Sequence, residues 1–220
     1  MAAEYAETTD PATARDVAAL LLKIRAVLLR PNDLFTFASG LRSPIYCDNR
    51  VFLSHPTERR QMLDCLFRCI DHVLGDDWDA VAGVATGGIP FAAWVAMHFD
   101  KPMVYVRSSE KEYGTGHRVE GGLEGPKRLV LIEELITTGG SALAAVSALR
   151  DAGLRCDDCF SIFDYGFRSS EERFRAAGVR RLALADTDAL LAVAREQRSL
   201  SDEDVDRVRQ WHAEVNARAQ

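Results

Sequence analysis

No apolar run in this 220-residue chain approaches the roughly 20 residues that a membrane-spanning helix needs, so no membrane partner is expected. The opening stretch, MAAEYAETTD, is acidic and polar. It lacks the positive segment and apolar core of a secretory signal, and a cytoplasmic location is expected. A basic surplus is also missing. Lys and Arg number 27 against 33 Asp and Glu, a net charge of −6. Without a strongly basic face, nucleic acid is not expected as a partner, and any anion site must be local and built from loops. The five cysteines are an odd number and suit reduced thiols better than a disulfide framework. Cys156 and Cys159 form a CxxC pair, but no second pair and no nearby histidine join it, which favours a structural role over zinc or redox chemistry. Internal repeats and low-complexity segments are absent.

The stretch that is there, and that the chain is organised around, is RLVLIEELITTGGS, Arg128 to Ser141. Leu129 to Ile132 has the length and composition of a buried parallel strand. Glu133 and Glu134 follow at its C-terminal end, then the turn Thr137, Thr138, Gly139, Gly140, Ser141, and then the helix former ALAAVSALR. A strand, a Gly/Thr turn and a helix N-terminus make an anion site, because backbone N–H groups converge there and the helix dipole favours negative charge. The lysine of a G-x-x-x-x-G-K-[ST] loop is missing, so this is not a Walker loop. Two carboxylates beside a phosphate site make sense if the ligand also carries hydroxyls or a metal ion, as a sugar phosphate does.

Along the chain, residues 1–10 read as a flexible tail. Asp10-Pro11 opens a helix whose apolar spacing (Val17, Leu20, Leu21, Ile24, Val27, Leu28) runs to about Leu29. Phe35 to Ala38 and Ile45 to Cys47 read as the two strands of a hairpin, and Pro56 to Leu74 as a long helix with Cys65 and Cys69 lining the core. A second strand–glycine loop–helix unit follows: Ala80 to Val84, then Ala85-Thr86-Gly87-Gly88, then a helix to Phe99. Met103 to Val106 is a strand ending at Arg107. Ser108 to Pro126 is a 19-residue polar loop with five glycines, long enough to suggest a functional role. Further strands are expected at Cys159 to Phe163 and Arg181 to Ala185. A charged helix over residues 199–220 carries Val205, Val208, Trp211 and Val215 on one face. Alternating strands and helices predict an α/β fold with a doubly wound, mostly parallel sheet, whose ligand site lies at the carboxyl ends of the strands. The loops at 48–50, 85–88, 107–121 and 133–141 would gather there.

Four segments, FTFASGLRSPIYCDNR (35–50), GVATGGIP (83–90), YVRSSEKEYGTGHRVEG (105–121) and IEELITTGGS (132–141), resemble orotate phosphoribosyltransferase in their order and spacing. The resemblance implies a type I phosphoribosyltransferase fold with an N-terminal helix/hairpin hood over about 11–55, a domain over 11–195 and a helical extension over 196–220. It implies transfer of phosphoribosyl from phosphoribosyl pyrophosphate to orotate, with Mg2+ bound mainly through the substrate rather than by an assigned protein site. Thr137 to Ser141, with Leu135 and Ile136 leading in, would cradle the 5-phosphate. Glu133 and Glu134 would face the ribose and its oxocarbenium-like centre. Arg107 and Lys111, with Tyr113 beside them, would meet the pyrophosphate, a task suited to a fork and a point charge. Tyr46 and Thr137 would lie at the orotate. A homodimer is implied, with the loop 108–121 reaching the neighbouring subunit's site. The chain departs from the family at Glu134, where an aspartate is usual, at Ser108 and Ser109, where a lysine is common, and at Tyr113, where a histidine is. Ala38 stands where some relatives place a lysine. A transferase for another base, or a regulatory homologue that binds phosphoribosyl pyrophosphate with little catalysis, are the alternatives.

Overall fold

The structure is a computed structural model, and it describes residues 6–8, 10–37, 40, 42–108, 118–124 and 127–218. In chain order the elements are β1 (Ala6–Thr8), α1 (Pro11–Lys23), β2 (Val27–Leu29), β3 (Phe35–Thr36), β4 (Arg42–Ser43), β5 (Ile45–Cys47), a 3-10 turn (Asn49–Ser54) and α2 (Pro56–Leu74). There follow β6 (Ala80–Val84), α3 (Gly88–Phe99), β7 (Met103–Val106), β8 (Val119–Glu120), β9 (Arg128–Ile136), α4 (Gly140–Asp151), β10 (Arg155–Asp164), α5 (Arg168–Ala176), β11 (Arg180–Asp186), α6 (Thr187–Glu196) and α7 (Asp202–Arg218).

The expected α/β architecture is present. Among the described residues the main sheet has seven strands in the order β1-β11-β10-β9-β6-β7-β8, all parallel except β8. Its central strands are continuous apolar runs because helices cover both faces. Along β9, Val130 and Ile132 face one core layer, with Leu21, Met62, Leu66 and Phe91. Leu129 and Leu131 face the other, with Ala145, Leu149 and Phe174. This alternation follows from the two-residue period of a strand.

Local signals explain the helix starts. Asp10 caps α1 by accepting from the backbone N–H of Ala12 and Thr13, both at 3.1 Å, with Pro11 in the first turn. Ser201 and Asp204 cap α7 reciprocally: the Asp204 N–H donates to Ser201 Oγ at 3.1 Å, and the Ser201 hydroxyl donates to Asp204 Oδ2 at 2.9 Å. Val205 and Val208 then enter the core, with Trp211 and Val215 packed at its margin, as their spacing predicts.

Five expectations need correction. Residues 6–8 are not part of a loose tail but pair with Arg181 to Ala183 as the sheet's outer strand. The first helix does not reach Leu29. It ends at Lys23, Arg25 takes a left-handed conformation (φ 59°), and Val27–Leu29 becomes β2. The hairpin therefore pairs differently: β3 pairs with β4, and β5 pairs with β2. The polar loop after β7 is interrupted by β8, which returns antiparallel along β7. The strand of the central motif does not stop at Ile132 but runs to Ile136, so both acids lie within it.

Candidate active site

Because Glu133 and Glu134 lie inside β9, the strand alternation sends their side chains to opposite faces of the sheet. Glu133 turns toward α4. It is buried, with 5% exposure; its Oε2 accepts from the Ser141 hydroxyl at 2.9 Å and its Oε1 from the Glu134 backbone N–H at 3.0 Å. Burial pushes its carboxyl up to about 7, against the opposing pull of the Ser141 and backbone hydrogen bonds. Glu134 turns toward α3 and lies directly on Gly87. A Cβ at Gly87 would sit 2.0 Å from Glu134 Oε1 and 2.1 Å from its Cδ, so only glycine leaves room for the acid. Burial raises the Glu134 carboxyl, Arg50 pulls it down and Asp48 adds to the rise. Its Oε2 is buried and, among the described residues, has no hydrogen-bond partner. A buried carboxylate oxygen without a donor carries a desolvation cost, which a hydroxyl or a cation reaching it would relieve.

Three loops converge on this strand end. Asn49 is fully buried and donates through Nδ2 to the Glu134 carbonyl at 2.5 Å, which ties the 48–50 turn to β9. Beside it, Arg50 clasps Asp48 through two hydrogen bonds, Nε to Oδ1 at 2.6 Å and Nη2 to Oδ2 at 2.8 Å. From the other side, Gly88 brings the start of α3 against β9. A Cβ there would lie 2.6 Å from the Ile132 carbonyl oxygen. The Ala85–Thr86 peptide in this loop is cis.

The Thr/Gly turn has a different character. Gly139 is buried with φ +75°, and its α face lies against Phe174 of α5, which a Cβ would approach to 2.6 Å. Gly140 and Ser141 open α4 and are exposed, and a Cβ at Gly140 would meet only Thr138 Oγ1, at 3.9 Å. Thr138 is exposed and Thr137 half-buried. Three residues of this turn, Thr138, Gly140 and Ser141, are therefore exposed at a helix N-terminus, where backbone donors are unsatisfied.

Of the predicted leaving-group cations, Arg107 is half-buried at the end of β7. Its Nη1 is 3.6 Å from Glu120 Oε1 on β8, and its backbone N–H donates to the Arg118 carbonyl at 2.9 Å. Lys111, Tyr113, Ser109 and Ala38 lie outside the described residues. Tyr46 is 38% exposed on the hood, its ring 5.4 Å from that of Phe35, over which the Arg30 guanidinium sits at 4.8 Å. The structure thus brings Glu133, Glu134 and residues 137–141 together, with Asp48, Asn49, Arg50 and Gly87, which the sequence did not single out as site residues. The polar run Asp48-Asn49-Arg50 and the glycine loop at 85–88 are their signals, since both loops are expected at this edge of the sheet. Among the described residues no group of three acidic, histidine or cysteine side chains could hold a metal. Cys156 and Cys159 are free and buried.

The parallel sheet brings two strand–glycine loop–helix units to an acidic strand end, and residues 52–183 match the phosphoribosyl transferase domain model, which places the chain among the phosphoribosyltransferases. The chain is 43% identical over 197 residues to the orotate phosphoribosyltransferase of Listeria monocytogenes, covering 90% of this chain and 94% of that protein. A Staphylococcus haemolyticus orotate phosphoribosyltransferase is 42% identical, covering 90% and 98%. The structure is similar to that of orotate phosphoribosyltransferase from Aeropyrum pernix (TM-score 0.72, 31% identity, 84% of this chain and 99% of that one). It is also similar to the Mycobacterium tuberculosis orotate phosphoribosyltransferase in complex with 5-phospho-alpha-D-ribosyl 1-diphosphate (TM-score 0.60, 26% identity, 80% and 98%). The chain belongs to the orotate phosphoribosyltransferase family.

Proposed function

We propose that this chain transfers the phosphoribosyl group of phosphoribosyl pyrophosphate to orotate, giving orotidine 5'-monophosphate and pyrophosphate in pyrimidine biosynthesis. The observation that carries this reading is the pairing of an open Thr/Gly turn at a helix N-terminus with an acidic strand end whose Glu134 Oε2 has no donor of its own. The turn at 137–141 takes the 5-phosphate, and Glu134 accepts from a ribose hydroxyl. As the bond from the anomeric carbon to pyrophosphate breaks, with its electron pair leaving on the pyrophosphate oxygen, positive charge builds on the ribose, and a ring nitrogen of orotate closes the new bond and loses its proton to the departing pyrophosphate. Carboxylates near that carbon favour the charge that develops. Glu133, with both oxygens engaged, acts from behind by fixing Ser141 and the Glu134 backbone.

The leaving pyrophosphate needs cations. Arg107 and Lys111 supply them in this reading, with Tyr113 alongside; Mg2+, bound through the substrate and not by an assigned protein site, would neutralise further charge. Tyr46 and Thr137 meet the orotate. The protein acts as a homodimer in which the 108–121 loop of one subunit serves the site of its neighbour. The test is release of pyrophosphate that depends on orotate and Mg2+. Lys111→Ala is expected to lower turnover by about a hundredfold or more while leaving the thermal unfolding midpoint unchanged, the scale on which single preorganised charges act. Turnover with a different base and none with orotate would redirect the assignment, and near-normal turnover in the variant would remove Lys111 from it.

A further inference from the structure

The C-terminal helix α7 lies beyond the matched domain, residues 52–183, yet it is rooted in the core by Val205 and Val208. Its outer face does not pack on the hood as a continuous apolar surface. A cavity of about 200 Å3 lies between them, lined by Pro31, Leu34, Pro44, Arg207, Gln210 and Trp211 among others. Across that gap the connections are polar and few. Trp211 Nε1 donates to the Arg42 carbonyl of β4 at 2.8 Å. Asn32, at the turn before β3, donates through Nδ2 to Asp204 Oδ1 at 3.2 Å and accepts from Arg207. A third path runs through the sheet: His212 Nε2 donates to the Tyr165 carbonyl at 2.7 Å, and the buried Tyr165 hydroxyl donates to the Ile45 carbonyl of β5 at 3.3 Å. Phe167 stacks between the Tyr165 and His212 rings at centroid distances of 5.5 and 5.1 Å. All three ties end on the short strands and turns that carry Tyr46.

We infer that α7 is a strap that sets the height of the hood over the base, with Trp211 as the positioning residue through its hydrogen bond to the Arg42 carbonyl. The strands it holds are only two or three residues long, so they contribute little stability of their own and depend on outside anchors. The inference rests on the reading that the hood carries the orotate contact. It predicts a selective effect for the first two ties: those of Trp211 and Asn32 do not touch the phosphate turn at 137–141, whereas Tyr165 on the third path also donates its backbone N–H to the Ile136 carbonyl at 3.0 Å.

Steady-state kinetics with both substrates varied, on the full chain, tests this. Trp211→Phe keeps an aromatic ring and removes the donor. It is expected to raise KM for orotate about fivefold, the net worth of one hydrogen bond, with KM for phosphoribosyl pyrophosphate within about twofold of the parent. Asn32→Ala, which cuts the second tie on an exposed turn, is expected to act in the same direction. An orotate KM unchanged in both variants overturns the strap, as does an equal rise in both KM values or a fall in the unfolding midpoint alone. Tyr46→Ala separates the two readings. If it leaves orotate KM unchanged while Trp211→Phe raises it, the role of Tyr46 fails and the strap stands. If Tyr46→Ala raises it and Trp211→Phe does not, the strap fails and the orotate contact stands.

Discussion

The two glycine loops at the sheet's carboxyl edge use glycine for opposite purposes. In the loop after β6, Gly87 and Gly88 are filled from outside, by the Glu134 side chain and the Ile132 carbonyl respectively. In the turn after β9, Gly139 supplies a positive φ and close packing on Phe174, and Gly140 leaves open space. One loop is a socket for the protein's own acid; the other keeps an open face at a helix N-terminus. Glycine content alone would rank the two loops as equals, and the neighbours decide what each does.

The strongest way to break the socket is Gly87→Ala. The clash is with the far end of a side chain, so the fold survives and Glu134 must swing away. Turnover is expected to fall about a hundredfold or more, the cost of misplacing one preorganised charge, with little change in unfolding temperature. Combining it with Glu134→Asp shortens the acid and should recover part of the loss, and strict additivity in that double-mutant cycle would refute the socket. Gly139→Ala attacks the open turn from below. A left-handed conformation costs a residue with a Cβ about 1–2 kcal/mol, and displacing the Phe174 ring adds to it, so a loss near about 3 kcal/mol is expected in denaturant unfolding. A loss confined to activity would mean that the ring moves freely.

The third test uses pH. Glu133 binds its proton more tightly folded, at about 7, than unfolded, at about 4.5. Its contribution is therefore most favourable below about pH 4.5 and is lost as pH rises through about 7. Glu133→Gln keeps a side chain that can still bond Ser141 and removes the titration. Between about pH 5.5 and about pH 7.5 the parent should lose about 2 kcal/mol more stability than the variant. Equal slopes would show that the buried acid is not neutral at the lower pH.

How much of this was readable beforehand depended on how local each cause is. The apolar runs of β6, β7 and β9, the helix from Pro56 to Leu74 and the Thr137–Ser141 turn follow from composition and spacing. The end of α1 did not, because Val27 and Leu28 continue the helical period, and only pairing with β5 makes them a strand. The three residues of β1 and the two of β8 carry no pattern of their own. The division of labour between Glu133 and Glu134 would have followed from strand alternation had β9 been extended to Ile136. The socket at Gly87 and the Arg107–Glu120 pair join residues far apart in sequence, and nothing local announces them.

The antiparallel return of β8 ties Arg118 back to Arg107, with the Arg107 N–H on the Arg118 carbonyl as the knot. Lys111 lies four residues beyond Arg107, so covalent geometry keeps its Cα within about 14 Å of that of Arg107, and its ammonium within about 20 Å. That radius limits how two copies can be arranged if one is to serve the other. The far subunit must bring its acidic strand end inside a sphere of this size around the β7–β8 edge, and any dimer geometry that leaves it outside confines Lys111 to its own subunit.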